Sequence, residues 1–198
     1  MVDRSQETQA EIADFFIKRW SPRSFDPDFE LSKSQLNSLF EAARWAPSSF
    51  NDQPWNFLIA PKGSSHFKGF LSLLDEGNQV WARNASLLGF VICRKEFSTR
   101  KKLNTSAEFD CGSAWMSMSL QALKMDLYCH GMAGFDDQKA YLDLGVDLIS
   151  HKIICAFAIG KKGNKANLPE KLQNMEEPNT RKPLEEIYWE GGWKSQLN

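Results

Sequence analysis

Ala42-Ala43-Arg44-Trp45-Ala46-Pro47-Ser48-Ser49-Phe50-Asn51-Asp52-Gln53-Pro54-Trp55 is the stretch whose reading decides the fold. It begins as the end of a helix and finishes as the start of a strand, with a short polar loop between. Pro47 and Pro54 restrict the backbone on either side of Ser48, Ser49, Asn51 and Gln53, so these hydroxyls and amides sit on a stiff loop. Upstream, Ser32 can cap a helix that shows Leu36, Leu39, Phe40 and Ala43 on one face. On the other side of that helix lies Lys18-Arg19-Trp20-Ser21-Pro22-Arg23-Ser24-Phe25, a turn carrying two guanidinium groups and a hydroxyl between them. Guanidinium forks match phosphate oxygens through charge-assisted hydrogen bonds. Two such stretches flanking one amphipathic helix suit a phosphorylated ligand with a polar tail, although a basic turn or a Ser/Asn-rich loop taken singly reads as ordinary surface.

The rest of the chain alternates helices and strands without repeats, low complexity or an internal linker. Periodicity predicts helices over residues 9–18 and 64–74, a strand over 56–60 and a buried strand over 87–93. A long helix follows over 106–127, then a Gly-containing turn after Gly131, a short helix over 138–143 and a strand over 153–159. Residues 161–180 are polar and turn-rich. The long helix is apolar or small nearly all round, with Ala107, Cys111, Gly112, Ser113 and Ala114 among its members, so it must be covered on all sides. A central position or a subunit interface would do that. Helices packed on a sheet in this order indicate an α+β or mixed α/β fold.

At 198 residues the chain is long enough for one sizeable core. Its formal net charge of −1, with both signs interspersed, implies no polyanion-binding surface and makes nucleic acid an unexpected partner. The clusters Arg94-Lys95 and Arg100-Lys101-Lys102 read as solvated faces. No apolar run approaches the ~20 residues of a membrane helix, and the N-terminus does not read as a signal peptide. Cys93, Cys111, Cys129 and Cys155 lie far apart without a Cys-x-x-Cys pair, as expected for reduced, buried thiols in a cytoplasmic protein. His66, His130 and His151 lack metal-ligand spacing, and no metal is expected. There is no Gly-x-Ser-x-Gly nucleophile and no Gly-x-Gly-x-x-Gly dinucleotide fingerprint. Gly160-Lys161-Lys162-Gly163 is too short for a phosphate loop.

The basic turn followed by the 42–55 stretch resembles the start of the nitroreductase family of flavin enzymes. The resemblance extends through Asp110-Cys111-Gly112-Ser113-Ala114, Ala133-Gly134-Phe135-Asp136, the apolar residues 153–160 ending in glycine, and Arg181-Lys182-Pro183-Leu184. It implies an α+β fold with a central, mainly antiparallel sheet flanked by helices and a long central helix at a dimer interface. One FMN-binding domain would occupy residues 1–198, with a C-terminal tail from about 161. The implied cofactor is FMN, reduced by NADH or NADPH, and the implied assembly is a homodimer with two shared sites.

By the same resemblance, Arg19, Ser21 and Arg181 would hold the phosphate and ribityl end, and Trp20 would add backbone contacts. Arg23 would tune the flavin near N1. Pro47, Ser48, Ser49 and Asn51 would reach the flavin from the other subunit, supported by Gln53. The Ala133-Gly134 backbone would lie beside N5, where glycine tolerates the close approach of a ring. No side chain is assigned a catalytic role beyond this. Residues 77–85 fall where the family has a mobile lid, while Trp81, Trp115 and Phe135 read as packing residues that could also face an acceptor. The substrate is a small molecule, and the residues do not choose among nitroaromatics, quinones, enones, aldehydes and free flavin. A flavin-binding module without turnover and a flavin enzyme of different outcome remain open alternatives.

Overall fold

Four strands form one antiparallel sheet in the computed structural model, which describes residues 8–193. They are β1 (Trp55–Pro61), β2 (Leu87–Arg94), β3 (Leu127–Met132) and β4 (His151–Lys161), in the spatial order β1-β2-β4-β3. Both faces of the sheet are covered. Because strand side chains alternate, Leu88, Phe90 and Ile92 of β2 enter one hydrophobic cluster and Leu87, Val91 and Cys93 enter the other. The first cluster also takes Phe67 of α3 (Phe67–Ser72), Trp81 of α4 (Glu76–Ala82) and Ala140 of α6 (Asp137–Asp143). The second takes Leu39 and Ala43 of α2 (Lys33–Arg44) and Cys111, Ala114 and Met118 of α5 (Ala107–Lys124). Gly89 is required between them, since a Cβ there would lie 2.3 Å from Phe157 Cζ and 2.7 Å from the Leu58 carbonyl oxygen.

Several predicted elements change when tertiary contacts are present. Ser32 caps its helix as expected, and Gln35 makes the cap reciprocal, with Gln35 N donating to Ser32 Oγ and Ser32 N donating to Gln35 Oε1. The first helix, α1 (Asp14–Lys18), is shorter than predicted because Ala13 is extended and supplies no side-chain cap. The long helix stops at Lys124, not at residue 127. Asp126 turns the chain through φ 58°, and Leu127 opens β3. Gly131 lies inside this strand, where a Cβ would meet the Trp115 ring at 3.4 Å. Residues 77–85, placed by resemblance at a lid, contain most of α4, and Trp81 is buried to 1% exposure.

The long helix is not covered on all sides. Its inner face packs on α2 and the sheet, but Phe109 is 83% exposed, and Gly112 is exposed beside half-buried Met116 and Leu120. Residues 161–180, read as polar and turn-rich, include a 3-10 turn at Lys165–Asn167 and α7 (Glu170–Gln173) before folding back on the basic turn. Cys93, Cys111 and Cys129 are buried and Cys155 half-buried, all as free thiols. Burial pushes the Cys129 thiol up to about 12. No helix among the described residues is long and apolar enough to cross a membrane.

Candidate functional site

The basic turn wraps one end of a cavity of about 180 Å³ lined by Arg19, Trp20, Ser21, Arg23, His130, Met175, Glu177, Asn179 and Arg181. Four of the residues expected at a phosphate site are thus brought together from positions as far apart as 19 and 181. The turn is shaped from behind by Glu176, whose carboxylate is 4% exposed. It accepts from Arg23 N at 2.9 and 3.0 Å and from Ser24 N at 2.7 Å. Its carboxylate is thus taken up by backbone N–H groups of the turn rather than by a guanidinium of Arg23. Trp20 packs its indole edge-on to Tyr128, at 6.4 Å between ring centroids, and is 8% exposed. Downstream, Phe25 seats against Gly160 and Gly163, where a Cβ would lie 2.9 Å from Phe25 Cδ1 and 2.5 Å from its carbonyl oxygen, respectively. The two glycines therefore serve packing.

His130 ties the turn to β3. Its Nδ1 donates to the Pro22 carbonyl at 2.9 Å, and its ring lies 4.6 Å from Trp81. Burial pushes the imidazole down from its ordinary range, and nearby Arg23 adds to the effect. Because the carbonyl oxygen can only accept, the contact places a proton on Nδ1. Arg181 Nη1 donates to the carbonyls of Asn179 and Thr180 at 3.0 and 2.9 Å, which curls the exposed guanidinium back over its own loop. His130, Glu176, Glu177 and Asn179 were not anticipated. His130 offered only a position in an apolar run, and the others lie in a segment with no motif.

Pro47, Ser48, Ser49, Asn51 and Gln53 sit elsewhere. Their loop is braced by Gln53 N donating to Ser48 Oγ at 3.0 Å, Gln53 Nε2 donating to the Asn51 carbonyl at 3.1 Å, and Ser49 N donating to Asp110 Oδ2 at 3.0 Å. Phe50, Asn51 and Gln53 have φ of 54°, 55° and 48°. Such left-handed residues cost roughly 1–2 kcal/mol each outside glycine, less for Asn. Asp52 offsets that strain. Its Oδ1 accepts from Ser98 N and Ser98 Oγ, both at 2.8 Å, and its Oδ2 from Arg94 Nη2 at 3.1 Å and Asn104 Nδ2 at 3.2 Å. Burial pushes the Asp52 carboxyl up, but these donors and the Arg94 charge outweigh it and hold the group below its usual value. Arg94 is therefore a structural pin rather than a solvated cation.

Sheet order keeps the two motifs apart within one chain. The loop leads into β1 at one edge, and the cavity abuts His130 of β3 at the other, three strand spacings or about 14 Å away. The register adds to this. His130 pairs with Ala158, Ala158 with Leu88 and Leu88 with Ala60, whereas the loop ends at Trp55, five residues or about 17 Å further along the strand. A single chain thus leaves the Asn51 loop roughly 20 Å from the arginine cavity.

The nitroreductase family model matches residues 17–161, well over half of the chain. The chain belongs to the nitroreductase family. A solved structure described as an oxidoreductase containing FMN superposes with a TM-score of 0.92 at 35% identity, covering 99% of this chain and all of that one. A CLA biosynthesis enone reductase of Lactiplantibacillus plantarum is 24% identical over 76% of this chain and 85% of its own length. An oxygen-insensitive NADPH nitroreductase of Helicobacter pylori J99 is 33% identical over 38% of this chain and 35% of its own.

The Ala133-Gly134 segment follows directly on β3, the strand that carries the cavity residue His130. The Gly134 carbonyl accepts from Asp75 N at 3.1 Å and Asn78 Nδ2 at 2.9 Å, and a Cβ on Gly134 would lie 2.6 Å from Asp75 Oδ2. Glycine is needed here to dock α4. Phe135 packs edge-on to Phe90, and Asp136 caps α6 by accepting from Lys139 N. Among the described residues no cluster of His, Cys, Asp or Glu could hold a metal ion.

Proposed function

We propose that this nitroreductase is an FMN-dependent oxidoreductase, acting as a homodimer, that takes hydride from NADH or NADPH and delivers it to a small organic acceptor in a ping-pong cycle. The carrying observation is the small cavity bearing Arg19, Arg23 and Arg181, a donor set suited to a phosphomonoester. When bound, FMN supplies the hydride-transferring ring, and the protein supplies binding, orientation and charge. Arg19, Ser21 and Arg181 hold the phosphate and ribityl end. Arg23 contributes positive charge near the reduced ring, while Glu176 fixes its backbone from behind. The acceptor class is nitroaromatic, quinone, enone or similar, a reading supported by two relatives named for enone and nitro reduction. Buried free thiols and a nicotinamide donor fit a cytoplasmic protein.

The decisive experiment is anaerobic addition of NADH or NADPH to the purified yellow protein. Bleaching of the flavin absorbance within the mixing time of a stopped-flow instrument is expected. A flavin that keeps its colour would leave only a binding module.

Two observations support the shared site. At about 180 Å³ the cavity has room for the phosphate end alone, since pockets enclosing drug-sized ligands run to roughly 300–1,000 Å³. The uncovered face of α5, with Phe109 at 83% exposure beside exposed Gly112, offers a surface for a second copy to close. Dimerisation would bring the Asn51 loop of one subunit to the arginine cavity of the other. Co-expressed Arg19→Ala and Asn51→Ala chains, purified through two affinity tags, should then form a heterodimer with one intact site. Its activity is expected to exceed that of either parent homodimer several-fold; a heterodimer as inactive as both would return the site to a single chain.

A further inference from the structure

Beyond Arg94, β2 continues into a narrow tongue closed by the antiparallel bridge between Glu96 and Leu103. Phe97 N donates to the Lys102 carbonyl at 3.0 Å, and Asn104 N to the Lys95 carbonyl at 2.8 Å. The tip presents Arg100, Lys101 and Lys102, all exposed. Among the described residues none of the three forms an ion pair with a carboxylate. The tongue is bonded to the Asn51 loop through Asp52 and Ser98, so the position of one fixes that of the other. They also share an aromatic contact. Arg100 Cζ lies 4.4 Å from the Phe50 ring centroid and 4.2 Å from that of Phe97. Phe50 itself is 81% exposed, so this stack faces solvent rather than a core.

Stacking on ring faces restrains a guanidinium plane while leaving its N–H donors at the edge for an anion. We propose that Arg100, assisted by Lys101 and Lys102, binds the phosphates of the nicotinamide donor and makes the protein prefer NADPH to NADH. This rests on the reading that dimerisation brings the Asn51 loop to the flavin of a second copy, since the tongue bonded to that loop would then lie at the rim of the same site. The two donors differ only by the 2′-phosphate, which carries close to two negative charges at neutral pH and three acceptor oxygens. A planar fork with two flanking ammonium groups matches that group in charge and in geometry. Lys62 and Lys33 elsewhere on the surface lack any such aromatic restraint.

The test uses the FMN-loaded protein and two readouts. Anaerobic flavin reduction is measured with NADPH and NADH, and binding of adenosine 2′,5′-bisphosphate and of adenosine 5′-monophosphate is measured by calorimetry, where no turnover occurs. The parent protein is expected to favour the phosphorylated member of each pair by about tenfold or more, with the preference shrinking as salt is raised. Arg100→Ala and Arg100→Gln should each cut that preference at least about tenfold, and Arg100→Lys should keep part of it. Equal use of both donors by the parent, or an unchanged preference in both the Ala and Gln variants, would overturn the proposal while leaving the flavin chemistry intact. Failure of both donors to bleach the flavin would instead overturn the oxidoreductase reading, and retained selectivity for the bisphosphate in calorimetry would then still support the anion site.

Discussion

FMN is expected to dissociate from the doubly substituted Arg19→Ala/Arg181→Ala protein at concentrations where the parent retains it. Each arginine lines the cavity, and each offers a charge-assisted contact of roughly 1.5–3 kcal/mol to a phosphate oxygen. Together the losses amount to about 3–6 kcal/mol, a rise in Kd of roughly 10²–10⁴-fold. The two groups share one pocket and one ligand, so their effects couple and the lower half of that range is favoured. The fold should survive, because neither side chain belongs to a hydrophobic cluster and the turn's backbone is held by Glu176 independently. Ultrafiltration followed by flavin fluorescence measures the released cofactor, and the thermal transition of the apo forms checks the fold. Affinity within about threefold of the parent's would remove both residues from the phosphate site.

What was legible in the chain was local chemistry. The Ser32 cap, the two prolines of the Asn51 loop and the continuous apolar run of β2 act over a few residues, and each produced the element expected of it. β3 was hidden because residues 127–132 prolong the apolar character of α5, and only the left-handed Asp126 separates them. α4 was hidden for another reason. Gly77 and Asn78 read as loop residues, and the helix is held by long-range bonds, Asn78 Nδ2 to the Gly134 carbonyl and Asp75 N to the same oxygen. In the candidate site, the resemblance pointed to Arg19, Ser21, Arg23 and Arg181, and these four line one cavity. Glu176 was not legible, since its bonds to Arg23 and Ser24 span more than 150 positions and carry no sequence pattern. Arg94 was misread as surface because its partner Asp52 lies 42 positions away.

Asp52→Ala is expected to be the most damaging single change to the Asn51 loop. The carboxylate is 2% exposed as a side chain and accepts from Ser98, Arg94 and Asn104, so it is the buried polar link between the loop, the tongue and the end of β2, beside the exposed Arg100–Phe50 contact. Removing one member of a buried pair costs about 3–5 kcal/mol because the other charge is left uncompensated. Arg94 is 23% exposed and can turn partly to water, which places the expected loss near 3 kcal/mol, or a Tm lower by roughly 6–12 °C. Activity should fall further than stability. Phe50, Asn51 and Gln53 occupy left-handed conformations that relax once the anchor is gone, and protease nicking should concentrate in 47–53 and 95–104. The pH dependence provides a second check. The Asp52 carboxyl is held below its unfolded value, so its contribution is fully present above about pH 4 and is lost as pH falls through the folded value. The difference in Tm between parent and variant should therefore stay constant from pH 8 down to about 5 and shrink only in more acidic buffer. A variant that melts within about 2 °C of the parent, with an unaltered nicking pattern, would show that the loop is held by something other than Asp52.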